Sequence, residues 1–168
     1  MVKVIIRCAK YSDLKQMKAL NEKCLQENYD MDYWVDMYNK NKTNSFVAVF
    51  SNIVIGYLFG TKDTVISLAV DEKYRRYGIA RMLLQYHINS TDQNIILHVR
   101  VDNDSARRLY KSLNFIDEKI IKDYYHNPIC DCYEMIHKYD GIKYPEKVKI
   151  NIQNQNQNQN QKDSLNSN

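Results

Sequence analysis

No stretch of these 168 residues approaches the roughly 18 consecutive apolar side chains of a bilayer-spanning helix. Met1 to Lys10 also lacks the long apolar core of a secretory signal, so a cytoplasmic protein without a membrane partner is expected. Neither G-x-x-x-x-G-K-[ST] nor G-x-G-x-x-G occurs, which excludes the two common glycine-rich phosphate-loop signatures. A net charge of +4 falls short of the basic concentration of a dedicated nucleic-acid binder. Cys8, Cys24, Cys130 and Cys132 are the four cysteines, expected to be reduced, and none is placed as an acyl carrier. Cys130-x-Cys132 sets two thiols on one face of a strand. Its spacing to His126 and His137 matches no common structural zinc site, so no metal is expected.

What is present is enough for one domain with a sizeable core: 44% of the residues are hydrophobic and 26% charged. The chain is organised around Ser67 to Tyr86. Ser67-Leu68-Ala69-Val70 reads as the end of a buried strand. After a charged connection, Ile79, Met82, Leu83 and Tyr86 recur at the spacing of one helical face. A strand, a tight turn and a helix start make an anion site, because unpaired N–H groups and the helix dipole point outward there. Gly78 lets the backbone approach a ligand, Ala80 adds little bulk, and Arg75, Arg76 and Arg81 bring positive charge. This loop expects a phosphate.

Around it the chain reads β-α-α-β-β-β-α-β-α-β-β. Val2 to Arg7 is the first strand, and Ser12 or Asp13 caps a helix with Leu14, Met17, Leu20, Cys24 and Leu25 along one stripe. A second helix runs from Met31 to about Asn39. Ser51-Asn52 joins two strands as a polar hairpin turn, and Thr61-Lys62-Asp63 turns into the strand ending at Val70. Asn94 to Arg100 is an apolar strand, and Asp102-Asn103-Asp104 caps the next helix. Phe115 to Ile121 and roughly Ile129 to His137 complete a mixed α/β (α+β) sheet flanked by helices. Residues 1–138 are read as one domain. Residues 139–168, with an alternating Gln/Asn run from Ile152 to Gln161, are read as a disordered tail.

Arg75-x-x-Gly78-x-Ala80 after a strand resembles the acetyl-coenzyme A pyrophosphate loop of the GNAT superfamily of acyl-CoA N-acyltransferases. Leu97-His98-Val99-Arg100, Asn103, Ala106 and Leu109-Tyr110 match the L-[HE]-V-R-x-x-N-x-x-A-x-x-L-Y pattern of N-terminal protein acetyltransferases. Cys24 to Met31 looks like the C-L-P-E-N-Y-x-M substrate loop of the NatA catalytic subunit. Lys122-Asp123-Tyr124-Tyr125 with Tyr133-Glu134-Met135 resembles the K-x-Y-Y and A-Y-x-M segments of that group.

The resemblance implies acetyl-CoA as co-substrate and protein or peptide N-termini as acceptors, acetylated by direct attack. It implies that Leu68, Ala69 and Val70 bind the pantetheine arm through their backbone, like an added strand. Arg75, Arg76, Gly78, Ile79, Ala80 and Arg81 then hold the pyrophosphate, and Asn103 and Tyr110 contact the coenzyme. An auxiliary or ribosome-associated subunit is a further implied partner.

The chemistry agrees with that assignment. An α-amino group has a pKa of about 7.7–8.0, so a modest base suffices, and His98 serves at neutral pH directly or through a water. Read alone, His98 is a core histidine bonded to a backbone carbonyl; the resemblance is what makes it the base. The resemblance implies that Tyr110 sits near the coenzyme sulfur and protonates the leaving thiolate; read alone, it packs on its helix face. Glu27 is a substrate-facing carboxylate or a solvated helix-end residue, while Leu25 and Tyr29 shape the pocket for the first side chain. Tyr124 and Tyr125 hydrogen-bond the entering peptide or pack along a strand edge. Arg107 and Arg108 are read with the other arginines as contacts for the coenzyme phosphates.

The chain departs from the pattern at four places, one of them the short Thr61-Lys62-Asp63 hairpin, which is more like that of the bacterial ribosomal-protein acetyltransferases. Gln26 stands where proline is usual, predicting a looser substrate loop. Thr64 stands where histidine or tyrosine is usual, and the Trp-Pro segment after the second helix is missing. A ribosomal-protein-type or small-amine acetyltransferase, and an inactive acetyl-CoA-binding module, are the alternatives.

Overall fold

The computed structural model describes residues 3–42, 44–145 and 150–151. Its strands are β1 (Lys3–Cys8), β2 (Phe46–Phe50), β3 (Ile53–Gly60), β4 (Thr64–Val70), β5 (Ile95–Arg100), β6 (Phe115–His126), β7 (Ile129–His137) and β8 (Ile150–Asn151). The helices are α1 (Leu14–Cys24), α2 (Met31–Lys40), α3 (Ile79–Ser90) and α4 (Asp104–Lys111). One eight-stranded sheet has the order β6-β7-β5-β4-β3-β2-β1-β8. Its registered neighbours run antiparallel except β4 and β5, which are parallel. The expected order of elements is observed from β1 through β7, but β8, which pairs with β1, falls in the stretch read as a disordered tail.

Strand alternation sends apolar side chains to both faces, so each face carries its own core. Phe46, Ala48, Leu58, Val65 and Val70 join Leu83 and Leu84 of α3 and Leu113 beyond α4 in one cluster. Val47, Tyr57, Phe59 and Ala69 join Leu14, Met17 and Trp34 of α1 and α2 in the other. Trp34 stacks on Phe59 at 4.6 Å and meets Tyr57 edge-on at 5.6 Å.

Two irregularities shape the middle of the sheet. The β2–β3 register shifts between Ala48 and Val49, where a Cβ on Gly56 would press Ile79 and Val70 at 3.2 Å. In the β3–β4 ladder, Phe59 faces Ser67 but Gly60 faces Val65, leaving Ile66 as an extra residue. That bulge falls where β4 leaves β5: their registered pairs are Thr64↔Ile96 and Val65↔Leu97. A bulge bends and twists its strand, and here the bend parts the two parallel strands.

Some expectations are corrected. Neither Ser12 nor Asp13 caps α1 through its side chain; Tyr11–Asp13 is a 3-10 turn. Asp13 instead faces back, accepting from Lys10 N at 2.7 Å and from Arg7 at 2.6 and 3.0 Å. β6 runs on to His126 rather than ending at Ile121, which makes Tyr124 and Tyr125 strand residues. Past residue 138, Asn89 of α3 exchanges two hydrogen bonds of 2.8 Å with the Tyr144 backbone. Lys143 Nζ donates to the carbonyls of Asn89 and Thr91, both at 3.0 Å. Those long-range bonds are invisible in local periodicity. The Gln/Asn run lies outside the described residues.

Candidate active site

Where β4 and β5 part, a cleft of about 740 Å³ passes through the sheet. Leu25, Glu27, Tyr29, His98, Tyr124 and Tyr125 line it from the α1 face, and Asn103, Ala106 and Tyr110 from the α4 side. Sheet geometry explains the division. Leu97 and Val99 belong to the α3/α4 core, so His98 and Arg100 project from the opposite face.

His98 has two ring partners. Its Nε2 lies 3.0 Å from Glu134 Oε2, and its Nδ1 lies 3.2 Å from the Tyr124 hydroxyl. The Tyr124 ring stacks on the imidazole at 4.6 Å between centroids. Tyr125 donates to the His98 carbonyl at 3.4 Å, and burial raises both tyrosine hydroxyls above their ordinary range. Across the strand, Tyr110 is 8% exposed, and burial pushes its hydroxyl up to about 12. It therefore keeps its proton at neutral pH.

Glu27 lies on the cleft wall, 3.1 Å from Arg100. Arg100 also covers the Tyr125 ring at 4.8 Å and donates to the Pro128 carbonyl at 3.4 Å. One guanidinium thereby joins the substrate loop to the β6–β7 hairpin. Tyr29 stacks on Tyr33 at 4.4 Å. Despite Gln26, the loop is tied down: Asn21 Nδ2 donates to Glu27 O at 2.7 Å and to Asn28 Oδ1 at 2.8 Å. The amide is held in turn by Tyr57 and Ser67, which bond Asn21 Oδ1 at 2.5 and 3.1 Å.

The phosphate loop comes after the strand end. Gly78 sits at φ +80° and opens α3 with no side-chain cap, leaving first-turn N–H groups for an anion. A Cβ there would meet nothing within 4 Å, so the space before the helix is open. Arg76, at φ +70°, is exposed. Arg75 is exposed too, but its Nε donates to the Val70 carbonyl at 3.1 Å, taking one of that oxygen's two acceptor positions. Leu68 lines the cleft, while the side chains of Ala69 and Ile79 are core and Ala80 packs against it. Arg81 reaches Ser112 Oγ at 2.6 Å, joining α3 to the end of α4. These residues offer coenzyme A a helix end for its pyrophosphate and a bulged strand edge for its arm, and so fit it.

Arg107 is a correction. It forms a forked pair with Asp117 at 2.6 and 3.1 Å and lies over the Tyr133 ring at 3.8 Å. That places it in the bracing of α4 against β6 and β7 rather than among phosphate contacts. His126 and His137 lie at opposite ends of the β6–β7 ladder. Among the described residues, no three His, Cys, Asp or Glu side chains gather in a way that could hold a metal. Arg100, Glu134, Tyr33 and Asn21 were given no role from the sequence. Their partners are 73, 36, 4 and 6 residues away, and only the Tyr29–Tyr33 spacing on a helix start is a local signal.

A mixed sheet split between parallel strands, with a helix start at the mouth, is a fold for binding an acyl carrier at the cleft. The chain belongs to the acetyltransferase (GNAT) family, whose family model matches residues 14–115. It is 36% identical over 141 residues to an N-alpha-acetyltransferase of Saccharolobus solfataricus, covering 71% of this chain and 84% of that one. It is similar to a chain of the NatC complex bound to Gag peptide and CoA, with TM-score 0.75, 25% identity, and 81% and 98% of the two chains covered. The fold is also that of Ard1 from Thermoplasma volcanium, with TM-score 0.74, 24% identity, and 80% and 97% covered.

Proposed function

We propose that the protein is an N-alpha-acetyltransferase that transfers acetyl from acetyl-CoA to the α-amino group of protein N-termini. The observation that carries this reading is the cleft through the sheet, with His98 and Tyr124 on one face and Tyr110 on the other. An amine entering from the α1 face meets a base, and a thiolate departing on the α4 side meets a protonated phenol. Acetyl-CoA supplies the activated acyl group as its thioester. The start of α3 at Gly78, with Arg76, would hold the pyrophosphate, and the parted edge of β4 at Leu68 would hold the pantetheine arm. The neutral amine nitrogen attacks the carbonyl carbon, the carbon–sulfur bond breaks and the leaving sulfur takes a proton from Tyr110, while the acylated nitrogen sheds its extra proton to solvent and Tyr110 regains one from solvent. Glu27, fixed by Arg100, borders the entry and attracts the positively charged chain end. Leu25 and Tyr29 bound the space for its first side chain.

The reading includes a cytoplasmic location, supported by four free cysteines, which suit a reducing compartment. It includes action alone or beside an auxiliary subunit. The test is coenzyme release with acetyl-CoA and short peptides beginning Ser, Ala, Glu, Met-Leu or Met-Glu. Turnover on at least one is expected, with kcat lowered about 100-fold or more by His98→Ala and by Tyr110→Phe. Turnover on polyamines alone moves the protein to the small-amine class. Tight coenzyme binding without turnover on any amine makes it an inactive module.

A further inference from the structure

The imidazole of His98 touches a carboxylate on one side and a phenol on the other. Glu134 lies directly opposite His98 in the β5–β7 register, and its side chain is 17% exposed. Its second oxygen is 3.1 Å from Lys119 Nζ on β6. Lys119 first, and His98 second, hold the Glu134 carboxyl below its ordinary range, so at neutral pH it is ionised. An ionised carboxylate only accepts hydrogen bonds. Nε2 of His98 must then be the donor in that 3.0 Å contact. In a neutral imidazole this leaves Nδ1 as the acceptor, and its partner is the Tyr124 hydroxyl at 3.2 Å. The tyrosine therefore donates to histidine, and its oxygen lone pairs face outward. Tyr124 is 41% exposed and borders the cleft.

We infer that Glu134 is a positioning residue that fixes the Nε2–H tautomer of His98, and that the base presented to the substrate amine is the Tyr124 oxygen relaying to His98 Nδ1. This rests on the N-terminal acetyltransferase reading of the cleft. In the relay, an N–H bond of the incoming ammonium breaks as its proton joins the Tyr124 oxygen. The hydroxyl proton of Tyr124 passes to Nδ1, and the electron pair stays on nitrogen for attack. His98 becomes imidazolium against the Glu134 carboxylate and later returns its proton to solvent. Tyr124 is unchanged over the cycle. The other charged group close by on β5 is Arg100, which is committed to Glu27 and Asp102. Glu134 is thus the anion that His98 itself meets.

The test is Glu134→Gln. Lys119 holds the amide oxygen, which turns the amide NH₂ toward Nε2 and makes that nitrogen an acceptor. Nitrogen-15 NMR of histidine-labelled protein, with His98 assigned by its loss in His98→Gln, is expected to show Nε2–H in the parent. Glu134→Gln is expected to show Nδ1–H. On a peptide substrate, kcat should fall about 100-fold, the lower end of what a positioned general base contributes. Peptide KM and coenzyme A affinity should not change. Tyr124→Phe keeps the stacking and removes the relay: kcat should fall at least about tenfold, with the tautomer unchanged. An Nδ1–H parent, or a Glu134→Gln enzyme with kcat within twofold of the parent, overturns the inference. If the parent acetylates no peptide, the functional reading fails, while the tautomer comparison still decides whether Glu134 sets the imidazole.

Discussion

Helices α3 and α4 each come after a central strand, yet they begin in opposite ways. α4 opens on Asn103, whose side chain accepts from the N–H of Ala106 at 3.1 Å. α3 opens on left-handed Gly78 with no side-chain cap. The first closes its own helix start, and the second leaves donors facing outward. Their arginines differ in the same sense. Arg107 is locked to Asp117 and Tyr133, whereas Arg76 stands exposed beside Gly78. Capping residues thus tell a helix start that leaves its donors open from one that satisfies them.

The sharpest way to break the contrast is to give α3 a cap of its own. Gly78→Asp supplies an acceptor and a negative charge, and aspartate tolerates the left-handed backbone better than most residues. Coenzyme A dissociation constants from calorimetry should rise about 100-fold, or about 2.7 kcal/mol, with the fold retained. Opening α4 instead acts on stability. Asn103→Ala should cost about 1 kcal/mol, read as a lower denaturant midpoint at unchanged slope. The smallest effect comes from unbolting α4. Arg107 and Lys111 hold the Asp117 carboxyl at about 2, so its contribution is present above the ordinary carboxylate range and is lost as pH falls through about 2. Solvent screens this partly exposed pair. Asp117→Asn should lower Tm by about 1–2 °C at pH 7, with the gap from the parent closing as pH falls from about 4 toward 2.

The sequence showed the elements clearly because their signals are local. Ile79, Met82 and Leu83 sit at helical spacing, Ser51-Asn52 turns a hairpin with both residues at positive φ, and the Gly78 loop stands out between charged residues. The site was legible only in part. His98 and Tyr110 emerge from a pattern along one strand and helix, but Glu134 meets His98 only through the β5–β7 register. Arg107 misled because a cation near a helix start looks the same whether its partner is a phosphate or an aspartate on a neighbouring strand. The β4 bulge was hidden altogether, since Ile66-Ser67-Leu68 alternates no differently from an ordinary strand end.

The short meeting of β4 and β5, two registered pairs long, has a thermodynamic consequence. A ligand lying along the parted edge completes what the chain leaves open, and it does so only in the folded state. Stability is then linked to coenzyme concentration, rising by about 2.7 kcal/mol at a hundredfold excess over the dissociation constant. Backbone amides of β4 beyond Val65 should gain hydrogen-exchange protection together with that rise. In a cell depleted of the coenzyme, the same protein would be present in a looser and shorter-lived form.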